Sequence, residues 1–245
     1  MLDHARPRGR RRSSPSADQM RIVRVLLACG IAYGLTYIVA NDVVAAGMWE
    51  HYSPLDQAIS ELSGTRAPSA AFLAAMNPVF AVLVVAFGVG VRLISDGSRA
   101  LRATGVLLVV QGLSFPVWLL YPMTSREDLA QGVSGANDVG HLVLSAVAVA
   151  CMVAEMVLSG VALGTPFRYF AVAMAVLLLA AGTYVGMTPT TLAAGGDTPW
   201  MGLIERLSYG AWLVWMAGLT GSLLSRSRRS TPCNLPVAFP QTSGT

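Results

Sequence analysis

Residues 69–122 read SAAFLAAMNPVFAVLVVAFGVGVRLISDGSRALRATGVLLVVQGLSFPVWLLYP, and this stretch decides the fold. Two apolar runs, 69–94 and 101–122, are separated by one short polar link, SDGSR, with Arg92, Arg99 and Arg102 around it. Each run approaches the ~20 residues that a helix needs to cross a bilayer. Inside hydrocarbon every backbone N–H and C=O must find a partner within the protein, which leaves helices as the spanning form. A link this short makes the two helices antiparallel neighbours.

Four more runs of the same kind flank this pair, at about 22–46, 138–163, 168–188 and 201–224. The expected fold is therefore all-α: a polytopic six-transmembrane-helix bundle over 21–225, between tails 1–20 and 226–245. Composition agrees. The chain of 245 residues is 54% hydrophobic and only 12% charged, about half the usual charged share of a soluble domain. A soluble protein of this length would need more charge to cover itself.

All 17 basic residues are Arg, and their placement sets an expected orientation. With both termini inside, 14 of them fall on the inner side, leaving Arg66, Arg126 and Arg206 outside; most acids fall outside as well. We expect an N-in, C-in protein of the inner cell membrane. The same placement argues against nucleic acid as a partner, because the Arg residues flank apolar runs instead of forming one binding face. Membrane lipids are the expected partners. The basic, Pro- and Ser-containing tail 1–20 and the tail 226–245 have no apolar periodicity and are expected to be disordered. Cys29, Cys151 and Cys233 have no CxxC spacing, so neither a disulfide framework nor a zinc knuckle is expected.

The link between the first two runs is the polar exception. Residues 42–66 hold Asp42, Glu50, His51, Asp56, Glu61 and Arg66. Within it, SPLDQAISELSG reads as a short amphipathic helix over 54–62. Ser53 caps, Pro54 suits the first position, Asp56 favours the first turn, and Leu55, Ile59 and Leu62 recur at helical spacing. Gly64 supplies the stop. A helix this short cannot span and is expected to lie at the interface.

The order of these pieces is similar to one known family. A first span ending in a polar patch is followed by YSPLDQAISELSGTRAPSAAFLAAMNPVF. Then come LLYPMTSRED after the third span, NDVGHLVLSAVAV opening the fourth, and GLIERLSYGAWLVWM in the sixth. This series over about 22–224 resembles the bacterial membrane proteins grouped as domain of unknown function 998. The resemblance implies a six-helix integral membrane protein and carries over no catalytic residues.

The candidate site residues gather on the expected outer side. Asp42 closes the first span. His51 and Glu61 lie in the first loop. Asp138 and His141 open the fourth span three residues apart, on one face. Glu205, Arg206 and Tyr209 open the sixth. The leading expectation is an outer polar pocket for a lipid or lipid-like small molecule, built from these eight residues. A second is a metal-dependent intramembrane hydrolase using His51, His141 and Asp42, since histidines and carboxylates are zinc ligands; no HExxH or HxxxH spacing supports it, and no cofactor is expected. A third is a non-catalytic scaffold, in which Asp138 caps its helix, His141 is a hydrogen-bonded core histidine, and the three outer Arg residues pair with acids. Ser60 has no G-x-S-x-G elbow around it to make a nucleophile.

Within the spans, Asn77 and Gln111 are expected to face the bundle interior. Glu155 is the one acid well inside a span, a functional candidate on that ground. Its bland alternative is an ion pair with an inner Arg such as Arg99 or Arg168. Trp49, Trp118, Trp200 and Tyr121 suit an interfacial belt, and Trp212 and Trp215 suit packing. Pairs of glycines four apart, Gly30/Gly34, Gly160/Gly164 and Gly182/Gly186, read as helix-packing seams.

Overall fold

The structure is a computed structural model that describes residues 16–229. Among them there are seven α-helices in chain order: α1 (Ala17–Ile38), α2 (Ala70–Leu93), α3 (Arg99–Trp118), the short α4 (Arg126–Ala130), α5 (Ala136–Leu163), α6 (Thr165–Ala193) and α7 (Met201–Arg229). All but α4 are long and apolar enough to cross a membrane. The chain is a multi-pass helical membrane protein.

The ends of the helices differ from the sequence expectation in informative ways. α1 begins at Ala17, inside the expected tail, because Ser16 and Gln19 form a reciprocal capping box: the Ser16 hydroxyl accepts the Gln19 N–H (3.2 Å) and the Gln19 side chain accepts the Ser16 N–H (2.8 Å). At the other end α7 continues to Arg229. The expected disorder of 1–15 and 230–245 lies outside the described residues.

The six spanning helices form a closed ring in the order α1–α2–α3–α5–α6–α7, with α7 returning to α1. Lipid offers no hydrophobic reward for bringing helices together, so close backbone approach must supply the packing. The tightest seam is between α2 and α3. A Cβ on Gly105 would lie 2.7 Å from the Gly88 carbonyl oxygen, and one on Gly112 would lie 2.8 Å from the Val85 nitrogen. These glycines are not four residues apart, so the sequence pattern passed over them. The expected seam residue Gly30 does serve, receiving the ring of Phe87; Gly186 faces open space and Gly164 (φ 91°) makes the α5–α6 link.

The ring is filled by aromatic side chains. Tyr33 of α1 contacts Phe80, Phe115 and Trp212 edge-on, with centroids 5.7–6.0 Å apart. Trp212 and Trp215 are fully buried, as expected. Asn77 also points inward and donates to the Phe115 carbonyl (2.8 Å). That carbonyl is among the last four of α3, which a helix leaves without a partner of its own.

Three loop segments share one end of the ring: 46–69, 119–135 and 194–200. We call this end the loop face. Here the expected amphipathic helix over 54–62 is not found. Residues 53–57 form a turn instead, and a single 3-10 turn follows at Ser60–Ser63. The competing local bonds explain the difference. The Ser53 hydroxyl bonds the Asp56 carboxylate (2.9 Å), the Gln57 side chain accepts the Ser53 N–H (2.7 Å), and Glu61 accepts the Ala58 N–H (2.9 Å). Polar side chains thus capture the N–H groups that a continuous helix would use.

Candidate functional site

The first span does not end as an ordinary helix. Over Val39–Ala45 it widens into a π-helix, a feature often found at functional positions. The Asn41 side chain folds back to donate to the Tyr37 carbonyl (2.9 Å) and is itself buried. The next residue, Asp42, is thereby presented to α7, where its carboxylate accepts from Arg206 Nε at 2.7 Å.

Arg206 is the first of two guanidinium hubs on the loop face. Besides Asp42 it donates to the carbonyls of Pro54 (2.8 Å) and Gly202 (3.0 Å) and to the Tyr52 hydroxyl (3.0 Å). Five donors in a fixed planar fork suit Arg to such a junction. The neighbouring Glu205 accepts the backbone N–H of Ile59. Leu203 N–H donates to the Leu55 carbonyl (3.0 Å), and Gly202 has no side chain because the Pro54 and Gln57 carbonyls occupy that space. The start of α7 is therefore stitched to the first loop.

Arg126, at the start of α4, is the second hub. It grips Glu61 from two nitrogens, Nε at 3.1 Å and an Nη at 2.7 Å, and also reaches the Thr198 hydroxyl (2.8 Å) and the Asp56 carbonyl (3.0 Å). The Asp56 carboxylate accepts the N–H of Trp200 (3.1 Å), a residue held at φ 65°. A positive φ is strained for a bulky side chain, so this bond helps to fix the turn into α7. The Trp200 N–H and the Ser53 hydroxyl hold the Asp56 carboxyl below the usual carboxylate range. Burial pushes the Tyr52 phenol up to about 12, against the opposing pull of Arg206.

Asp138 and His141 belong to a separate cluster between α3 and α5. Asp138 accepts from the Thr124 N–H (2.9 Å), the Thr124 hydroxyl (2.8 Å) and the Gly135 N–H (3.0 Å), so it caps the start of α5. His141 Nδ1 bonds the Tyr121 carbonyl (3.0 Å), and its ring meets Trp118 edge-on. His51 is exposed in the first loop. Tyr209 lies deeper, its hydroxyl bonded to that of Tyr33 and its ring stacked on Tyr37 at 4.4 Å.

The eight candidate residues therefore fall into groups instead of one pocket. Asp42, Arg206 and Glu205 meet the first loop together. Glu61 joins through Arg126. Asp138 and His141 stand apart, as does His51. Among the described residues no three of His, Cys, Asp and Glu are placed to hold a metal ion. The Ser60 hydroxyl faces the Met123 sulfur (3.6 Å). Arg66, Arg126 and Arg206 each pair with an acid: Asp128 (3.0 Å), Glu61 and Asp42.

Deeper in the ring, one expectation is corrected. Glu155 makes no ion pair with Arg99 or Arg168. Its side chain is fully buried and accepts the indole N–H of Trp212 at 2.9 Å. One turn on, Ser159 accepts the indole N–H of Trp215 at 3.1 Å. Acceptors four apart on α5 and indoles three apart on α7 form two successive rungs. That spacing, E-x-x-x-S against W-x-x-W, was the signal available in the sequence.

Beside the loop-face cluster a shallow apolar groove of about 290 Å³ opens between the first span and α2. Its walls are Leu35, Val39, Ala40 and Val44 on one side and Phe72 and Met76 on the other, with Thr36 adding a hydroxyl.

A ring of six apolar helices closed at one end by interlocked polar loops defines a six-span integral membrane protein. The chain belongs to the family described as protein of unknown function (DUF998), whose model matches residues 26–222. No curated protein and no solved structure matches it.

Proposed function

We propose that this protein binds a lipid or lipid-like small molecule at its loop face and that this face is the outer one, a reading supported by the Arg distribution. One observation carries the reading: the π-helix segment serves two surfaces at once. Val39, Ala40 and Val44 wall the apolar groove, while Asp42 of the same segment pairs with Arg206. An acyl chain in the groove would bring its headgroup to the rim of a charged pair. Asp42 and Arg206 keep 29% and 17% of their side chains exposed, enough to be reached. Opposite charges on the segment that walls an apolar groove suit a zwitterionic headgroup.

A second reading, a non-catalytic scaffold, is favoured by how fully the two guanidiniums are engaged. Arg126 already bonds Glu61, Thr198 and Asp56, and Arg206 bonds Asp42, Pro54, Gln57, Gly202 and Tyr52.

Native mass spectrometry of the gently released, detergent-purified protein separates the two. On the binding reading the wild-type chain retains one lipid mass, and Val39→Trp, which fills the groove from an exposed position, loses it without losing thermal stability. A bare polypeptide mass, with no thermal stabilisation by added bilayer lipids, leaves the scaffold.

A further inference from the structure

Glu155 is not used by the loop-face reading, and among the described acids it alone has a buried oxygen without a hydrogen-bond partner. It sits in the second half of α5, fully buried, with one oxygen on Trp212 and the other without a hydrogen-bond partner. No Arg or His pairs with it among the described residues. The titratable groups around it are Cys151, one turn earlier on α5, and Tyr209 on α7, whose ring meets Trp212. On the other helices packed against α5, the titratable side chains are Arg99 and Arg102 of α3 and Arg168, Tyr169 and Tyr184 of α6, all exposed.

An ionised carboxylate in such a place, with a single neutral donor and no counter-charge, is far costlier than a neutral carboxyl. Glu155 therefore carries a proton at rest. The space around it also limits what else it could hold. Glu155 has no exposed surface, and neither the groove between the first span and α2 nor the one at the α6–α7 seam includes it. A proton is the one ligand that needs no cavity.

The surroundings supply a way out. Trp212, which holds Glu155, also packs edge-on against Tyr33 and Tyr209, with centroids 5.7 and 5.6 Å away. Those two hydroxyls bond each other, and Tyr37 stacks on Tyr209 one turn below the Asp42–Arg206 pair. Polar groups thus follow one another down α7 from the loop face to the middle of the ring: Arg206, Tyr209, Trp212.

We propose that Glu155 is a reversible proton-binding site at the centre of the bundle, linked to the loop face by the Trp212–Tyr209–Tyr33 cluster. In release, the carboxyl O–H bond breaks, its electron pair stays on the carboxylate, and the proton passes to water admitted from the loop face. The Trp212 N–H remains as the donor that stabilises the charge. The site is independent of the lipid reading and stands or falls without it.

The test uses the full chain reconstituted in phosphatidylcholine vesicles and titrated with pH. Infrared difference spectroscopy reads the carbonyl stretch of a protonated carboxyl, and tryptophan emission reads the indole beside it. The expected result is a protonated-carboxyl band at neutral pH that disappears reversibly on the alkaline side, with an emission shift at the same midpoint. Glu155→Gln keeps an acceptor for Trp212 and abolishes both signals. Trp212→Phe removes a donor to the charged form and moves the midpoint of the band upward. The assignment is overturned if the band is missing at neutral pH, or if band and emission stay fixed until the protein unfolds. It is equally overturned if Glu155→Gln retains both signals or Trp212→Phe leaves the midpoint in place. If Glu155→Gln fails to fold, the wild-type signals together with the Trp212→Phe shift decide the matter.

Discussion

Removing the guanidinium of Arg126 should cost more than removing both members of its ion pair would suggest. The Glu61 side chain is 3% exposed and that of Arg126 is 24% exposed. Breaking a buried pair from one side costs about 3–5 kcal/mol, because the remaining charge is left without compensation. Water reaches part of Arg126, so screening lowers the expectation for Arg126→Met to about 2–3 kcal/mol. Glu61→Gln is milder. The amide keeps an acceptor for the Ala58 N–H, and Arg126 keeps Thr198 and the Asp56 carbonyl, so the loss is about 1–2 kcal/mol. The double variant buries no lone charge and should cost about 2 kcal/mol in total, leaving a coupling energy of about 1–3 kcal/mol. The assay is a double-mutant cycle on reversible unfolding in mixed detergent micelles, followed by helicity and tryptophan emission. Costs that add to within about 0.5 kcal/mol would mean that the two residues do not act as a unit, and the reasoning fails.

Four further outcomes follow from local surroundings. Gly105→Ala places a methyl against backbone atoms of α2, 2.7 Å from the Gly88 oxygen and 2.8 Å from the Arg92 nitrogen, and should destabilise by about 1–3 kcal/mol in thermal unfolding. Gly210→Ala, with open space around it, should leave the midpoint unchanged or raise it. The Asp56 carboxyl is depressed in the folded state, so its stabilisation is present above the unfolded value of about 3.9 and is lost as pH falls through the lower folded value. Acid should therefore loosen the Ser53–Trp200 contact first, seen as earlier proteolytic nicking of the first loop, and Asp56→Asn should remove that acid dependence. The Tyr52 phenol is raised from its ordinary value near ~10 to about 12, so its contribution is complete below the first value and is lost as pH rises through the second. Alkaline unfolding should shift to higher pH in Tyr52→Phe once its neutral-pH stability difference is subtracted.

The spans were legible because the bilayer imposes a length and excludes charge, and both can be counted along a sequence. Asp138 as a helix cap was legible for a similar reason: its partners, Thr124 and Gly135, lie within 14 residues. What the sequence could not reveal was distant pairing. Arg206 meets Asp42 across 164 positions, and Arg126 meets Glu61 across 65. Nothing in the local pattern ranks one acid above another as a partner. The 54–62 helix failed for a related cause. Its apolar spacing was genuine, but Gln57 and Glu61 turned inward to bind backbone N–H groups and an arginine instead of lining a helix. The π-helix in the first span had no local signal at all, being recognised by the register in which Asn41 and Asp42 meet their partners.

One helix, α7, makes a run of polar contacts from the loop face to the ring interior. Going down α7, Arg206 holds the first loop and Asp42, Tyr209 meets Tyr33, Trp212 holds Glu155, and Trp215 holds Ser159. Each step of three residues turns the next contact about 60° around the helix, so the four together grip about half of its circumference. A rotation of α7 large enough to break one of these contacts would therefore strain the others. The first span is tied to it by the Asp42, Tyr33 and Leu27 contacts, and α6 by packing and one bond, from Ser208 to the Leu178 carbonyl. Directional hydrogen bonds resist rotation, whereas apolar packing against lipid-facing neighbours tolerates small sliding. The arrangement makes α7 the element through which a change at the loop face would be felt at Glu155, and a change at Glu155 would be felt at the loops.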